Sequence, residues 1–307
     1  MLAAITFDLD GLERDHFTRE PSAAERLQLQ DVAHGVVLPR IAEWLRSLDV
    51  RATFFSIGIE VQRSPAIYRQ LAADGHEIAN HSHSHLRDFS KQSPSVIAAE
   101  IRQAHDTILA HAGVAPVGFR CPGYTVTPAV IDALTTAGYV YDASLMPSWS
   151  YTTLKRAFQL FGGAEYRTYL VPQSYQCTLA PSLPYRIAPR DIYRSTASAA
   201  LTEIPITTTL GPAQLPLMHG LTYRLPRWVQ ELALTAAFRQ PFFSFSFHDL
   251  EFAERQDFGS LPATKLTTPH LATPLTDRLS WLSGAVRRAK RTHRFVTMKE
   301  SVVAARA

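Results

Sequence analysis

The chain has 307 residues, 46% hydrophobic and 19% charged, enough apolar content to bury a large core and too much for a disordered polymer. Its formal charge is +4 with Lys and Arg scattered along the sequence, which argues against a nucleic-acid partner. Two cysteines, Cys121 and Cys177, cannot build a disulfide framework, and no leader pattern or bilayer-length apolar run is visible, so the expectation is a cytoplasmic protein in a reducing compartment.

Ala3 to Phe7 reads as a buried strand that ends in Asp8-Leu9-Asp10. Val37, Leu38, Ile41, Leu45 and Leu48 then recur at helical spacing, and Ala52 to Ile57 reads as a second strand. Ser64-Pro65, Ser93-Pro94 and Thr127-Pro128 each pair a capping hydroxyl with proline at the first helical position, and Gly75 and Gly138 stop two of those helices. Strands are expected near His76, over Val117 to Arg120, and near Tyr139. From about Ala143 to Thr202 the periodicity is lost and the sequence reads as loop. Strand signals return at Leu201 to Ile206 and Phe242 to Phe247, around a helix from Pro226 to Arg239, and Leu275 to Lys290 and Phe295 to Met298 give a final helix and strand. The alternation predicts an α/β fold, a (β/α) barrel of seven or eight parallel strands, in a single domain spanning residues 1–307.

The residues suited to chemistry fall at the C-terminal ends of these strands, which share one rim in a parallel barrel. They are Asp8, Asp10, His81, His85, Arg120, Asp142 and His248. In His81-Ser82-His83-Ser84-His85 the outer imidazoles are four apart and would share a face if the strand turned into helix, with His83 pointing elsewhere. Imidazole and carboxylate are the donors a borderline divalent ion prefers, and three protein ligands leave a coordination position open. Asp8 and Asp10, two apart on an extended segment, face the same way and could divide the work between metal binding and proton transfer. A bland alternative is that Asp10-Gly11 is simply a turn.

TFDLD, HSHSH, RCPGY (Arg120 to Tyr124), YDAS (Tyr141 to Ser144) and FSFHDLEF (Phe245 to Phe252) occur in the order of the five motifs of polysaccharide deacetylases. The chain therefore resembles a NodB-homology domain of carbohydrate esterase family 4, in the branch with a D-x-D first motif. That resemblance implies a distorted barrel of the NodB type and a metal-dependent hydrolase acting on an N-acetylated amino sugar, with formyl as an alternative acyl group. It implies Asp10, His81 and His85 as ligands to a divalent metal, Zn before Co, Ni or Mn. It makes Asp8 the general base, Arg120 its orienting partner and His248 the general acid, with Asp142 as the electrostatic partner of His248. Gly123 and Tyr124 would serve the oxyanion and substrate.

Two departures from the motifs are visible: Leu9 separates the aspartates, and Ser246 stands where the fifth motif usually has leucine. Cys121 reads as a small buried residue rather than a nucleophile, and Glu251 as a solvated loop charge. Phosphatases of the haloacid dehalogenase type share the FDLDG string, but Leu12 follows it here and no late acidic pair is present. A non-catalytic binding module and an allantoinase-like cyclic amide hydrolase are the other rivals. Residues 143–240 are expected to wall the substrate, with Trp149, Tyr151, Phe158, Phe161 and Tyr166 mostly packed beneath them, while Leu154 to Phe161 would suit peripheral membrane contact.

Overall fold

The structure is a computed structural model that describes residues 1–12, 21–86, 88–161, 174–188, 191–197, 199–209, 211, 214–218, 225–259, 261 and 269–306. Among these, eight parallel strands form one curled sheet: β1 (Leu2–Leu9), β2 (Thr53–Ser56), β3 (Glu77–Asn80), β4 (Gly118–Phe119), β5 (Tyr141–Asp142), β8 (Thr202–Glu203), β9 (Phe242–His248) and β10 (Arg294–Phe295). β6 (Tyr185–Ala188) and β7 (Asp191–Ser195) add an antiparallel hairpin beyond β8. The parallel α/β barrel expected from the sequence is present.

β1 is the axis of the arrangement. It pairs with β9 along Leu2 to Asp8 and with β2 along Thr6 to Leu9, so both its edges are satisfied and both faces are buried. Ile5, Phe7 and Leu9 pack outward into the helical layer, whereas Ala4 belongs to an interior cluster with Phe55, Tyr141, Ile204 and Met298. Phe7 stands at the centre of an aromatic group, 5.1 Å from Phe54, 5.5 Å from Phe247 and 5.4 Å from Phe252. Such pairs contribute about 0.5–1.5 kcal/mol each beyond their burial, which fixes the strand that carries both aspartates.

The three Ser/Thr-Pro signals all open helices, at Pro65–Ala73, Pro94–Ala112 and Pro128–Thr136, although only Ser93 makes the capping hydrogen bond, from Val96 N–H. The helix over Val37 to Leu48 is longer than expected: Ala23–Val32 runs through a π turn, Ala33–Val37, into Leu38–Ser47. Pro39 has no N–H to complete the regular ladder, and the wider turn accommodates the lost bond. The loop expected over residues 143–202 is corrected, because it holds a helix, Trp149–Phe161, and the β6–β7 hairpin. The last strand is only Arg294–Phe295, and Met298 instead begins a helix, Met298–Arg306. Trp149 and Phe161 are 53% and 87% exposed, so the expected packing of the wall aromatics is corrected for these two; the side chain of Phe158 and Tyr166 lie outside the described residues. No helix among the described residues is long and apolar enough to cross a membrane.

Candidate active site

Asp8 leaves β1 toward the barrel interior, on the same side as Ala4 and Thr6, and is 1% exposed. Its Oδ1 accepts a 2.6 Å hydrogen bond from Arg120 Nη1, and its Oδ2 accepts one from the Tyr124 hydroxyl. Arg120, directly after β4, is fully buried. It also donates to Thr6 Oγ1 at 3.0 Å and to the Ala143 carbonyl at 2.8 Å, and its guanidinium lies 4.0 Å from the centre of the Phe55 ring. The main chain aims Tyr124 inward through two successive left-handed residues, Gly123 (φ 70°) and Tyr124 (φ 59°). Glycine supplies the first of these without a Cβ penalty.

His81 follows β3, and its Nδ1–H donates to the Arg120 carbonyl at 2.7 Å, which fixes the ring and turns Nε2 toward Asp10. Asp10 Oδ1 lies 3.1 Å from His81 Nε2 and 3.5 Å from His85 Nε2. Tetrahedral ligands about 2.0–2.1 Å from a shared ion stand about 3.3 Å apart, so these separations fit a zinc-sized cation. Asp10 Oδ1 is buried without a directed hydrogen bond, and the three ligand atoms lie within 4.8 Å of one another. Burial opposes ionisation of Asp10, but His85, His81 and His248 outweigh it and hold its carboxyl far below the usual range. Imidazole ligands bind a metal in the neutral form, so metal uptake would release any protons they carry.

The expectation that a helical turn aligns the two histidines is corrected. Residues 81–86 contain no helix; Ser82 (φ 64°) and His85 (φ 52°) are left-handed, and the bend is stapled by Ser82 N–H to Asn80 Oδ1 (2.8 Å) and His85 N–H to Ser82 Oγ (3.0 Å). His83 lies outside the cluster, against Gly58, where a Cβ would come within 2.5 Å of its Nδ1.

His248 ends β9 opposite Asp8 in register, with Nε2 3.3 Å from the Tyr124 hydroxyl, 3.7 Å from Asp10 Oδ2 and 4.0 Å from Asp8 Oδ2. Its Nδ1 faces Glu251 Oε1 at 3.7 Å. Burial disfavours the imidazolium, but Glu251, Asp10 and Asp8 push its pKa up to about 10. Glu251 is 4% exposed, which corrects its reading as a solvated charge. It also takes the place expected of Asp142. Asp142 accepts from Ser144 Oγ at 2.6 Å and stands beside Glu203 in register, and no ion pair joins it to His248.

Gly123 and Tyr124 adjoin this centre, and the Gly123 carbonyl accepts from Lys155 Nζ at 3.2 Å. Lys155 is buried, which lowers its pKa to about 8. Cys121 is buried, and burial with nearby Asp142 pushes its thiol well up, as expected of a residue that is not a nucleophile. Sequence reasoning missed Tyr124 as a partner of Asp8, and it missed Lys155 and Glu203. The first lay inside a recognised motif, Lys155 comes from the region without periodicity, and Glu203 lies on the strand expected over Leu201 to Ile206.

Residues 29–141 match the family model described as polysaccharide deacetylase, which takes in the HSHSH and RCPGY segments. A peptidoglycan-N-acetylglucosamine deacetylase of Bacillus cereus is 35% identical over 101 residues, 33% of this chain and 46% of that protein; the chain spans under half the length of the curated relatives it matches first. Among solved structures, a probable polysaccharide deacetylase from Pseudomonas aeruginosa superimposes with TM-score 0.60 at 15% identity, covering 98% of this chain and 89% of the other. PuuE allantoinase gives TM-score 0.60 at 14% identity, with 98% and 88% covered. At such identities these likenesses establish the fold alone.

Proposed function

Since this chain belongs to the polysaccharide deacetylase family through its residues 29–141, we propose that it is a metal-dependent hydrolase that removes the N-acetyl group from an amino sugar of a glycan. One observation carries the reading: Asp10, His81 and His85 converge beside a buried Asp8–Arg120–Tyr124 group and His248. A phosphatase using Asp8 as nucleophile would leave the imidazoles and His248 without a task.

Amide hydrolysis needs an activated water, donors aimed at the developing oxyanion, and an acid for a poor leaving group. A divalent cation held by Asp10, His81 and His85 supplies Lewis acidity and lowers the pKa of water. Asp8 is the residue placed to accept a proton, with Arg120 fixing one oxygen and the Tyr124 hydroxyl the other. His248, a quarter exposed and steadied by Glu251, is placed to deliver a proton to the departing amine. The Gly123–Tyr124 turn borders the same space and is assigned to the oxyanion and substrate.

The test is a mass-spectrometric screen of acetylated amino sugars, from monosaccharide to oligomer and including peptidoglycan fragments, with allantoin in parallel. Loss of one acetyl mass that a chelator stops and Zn²⁺ restores is the expected result; turnover of allantoin alone would replace the substrate assignment. Asp8→Asn should keep the metal and lower kcat by about 10²–10⁴. If that variant instead loses metal, the roles given to the two aspartates are exchanged.

A further inference from the structure

Beneath the catalytic rim lies a second buried acidic group, formed where β5 pairs with β8. Asp142 and Glu203 are direct neighbours in that register, and both are fully buried. Each carboxyl has one oxygen committed: Asp142 Oδ1 accepts from Ser144 Oγ (2.6 Å), and Glu203 Oε1 accepts from Leu145 N–H (2.9 Å). The two remaining oxygens, Asp142 Oδ2 and Glu203 Oε2, are buried and have no hydrogen-bond partner among the described residues. Two ionised carboxylates are acceptors only, so neither could satisfy the other, whereas one proton shared between these register neighbours lets each satisfy the other.

Among the described residues, Arg120 is the cation that acts on both carboxyls, whereas buried Lys155 acts on Cys121 and Cys177. The groups facing the pair are Arg120, Tyr141, Tyr185, Cys121 and Cys177. Burial holds both tyrosine hydroxyls and both thiols un-ionised, and Arg120 already neutralises Asp8. One arginine thus serves three carboxyls. The pair also has a line to the site: Ser144 Oγ, held by Asp142, accepts from Cys121 N–H at 2.7 Å, the residue after Arg120. Leu145 N–H, held by Glu203, lies one residue further along the same segment.

We propose that Glu203 is a neutral carboxylic acid which shares its proton with Asp142, and that this pair is a positioning device which sets the Arg120–Cys121 main chain and so the presentation of Arg120 to Asp8. The shared proton does not depend on the reaction assigned above; the positioning role rests on that reading. Burial of both carboxyls agrees with it, raising Asp142 and raising Glu203 well above the ordinary value. Because the folded chain keeps this proton after the unfolded chain has released it, native stability falls as pH rises above the ordinary glutamate value of 4.5 toward the raised one. Glu203→Gln has no proton to lose and supplies an N–H₂ donor to Asp142.

The experiment is infrared difference spectroscopy of wild type minus Glu203→Gln at about pH 8, where carboxyls of ordinary pKa are ionised. We expect an un-ionised carboxylic acid C=O band in the difference, shifted by ¹³C-glutamate labelling; the subtraction removes Glu77, another buried carboxyl raised by its surroundings. Absence of that band overturns the shared proton. In parallel, Glu203→Ala should lower kcat by about tenfold with KM and metal content retained, and Glu203→Gln should rescue most of the loss. An unchanged kcat in a folded Glu203→Ala protein overturns the positioning role. If Glu203→Ala does not fold, the spectrum and the flatter pH dependence of Tm in Glu203→Gln still decide. Inactive wild type with the band present would fault the deacetylase reading and leave the proton pair standing.

Discussion

His81→Ala and His85→Ala should each purify with bound metal reduced from about one ion per chain to near zero, and with hydrolysis at the level of chelator-treated wild type. The expectation follows from the ligand count. Asp10 with one remaining imidazole is a two-donor site, and two donors do not retain a divalent ion against buffer and water. His81→Ala carries an added loss, since the 2.7 Å bond from its ring to the Arg120 carbonyl ties the metal side of the site to the Asp8 side. His83→Ala is the internal control: that ring lies against Gly58, outside the cluster, and metal content should be kept. Elemental analysis by mass spectrometry, alongside turnover, decides it; full metal and full activity in either ligand variant would sink the assigned coordination.

Arg120→Met should destabilise the fold by about 3–5 kcal/mol, a large part of the roughly 5–15 kcal/mol that a domain typically has. The guanidinium is fully buried and is paired with Asp8, Thr6 and the Ala143 carbonyl. Removing it strands the Asp8 carboxylate at 1% exposure and takes away the cation that acts on Asp142 and Glu203. Lysine is not a substitute, because an ammonium cannot span three acceptors lying in the plane of the fork. Denaturant melts of the metal-free protein measure the effect without reference to activity. The double variant Asp8→Asn/Arg120→Met should recover part of the loss, since the stranded charge is then gone. A loss under 1 kcal/mol for Arg120→Met would show the pair to be dispensable.

How much of this was legible in the sequence follows from where the information is stored. β1, β2 and β9 were readable because strands buried on both faces carry apolar residues at most positions, whereas β3 was placed by the glycine stop before it. The proline-opened helices were readable because proline at the first helical turn and glycine beyond the last act through local backbone geometry. The Asp10–His81–His85 cluster was readable as residue types at the ends of strands. Its mechanism of convergence was not, because left-handed Ser82 and His85 depend on side-chain staples from Asn80 and Ser82 rather than on periodicity. The partner of His248 was misassigned to Asp142 for a similar reason. Glu251 lies within a short 3-10 turn over Asp249–Phe252 that brings a residue three ahead back toward the imidazole, whereas Asp142 turns toward a strand whose pairing is far away in sequence. The β6–β7 hairpin escaped because its strands are short and alternate weakly.

The bent stretch that carries His81 and His85 has one more implication. Two side-chain-bearing residues in left-handed conformation each cost about 1 kcal/mol or more, and the scaffold meets that cost through Asn80, whose amide is anchored by the Tyr139 hydroxyl (2.6 Å) and the Ile101 carbonyl (3.0 Å). The grip on an incoming ion is therefore shaped during folding, by a tyrosine and a helix remote from the ion itself. In the proposed coordination, the bend that carries two of the three ligands is held by hydrogen bonds to the side chains of Asn80 and Ser82, outside the ligand atoms themselves.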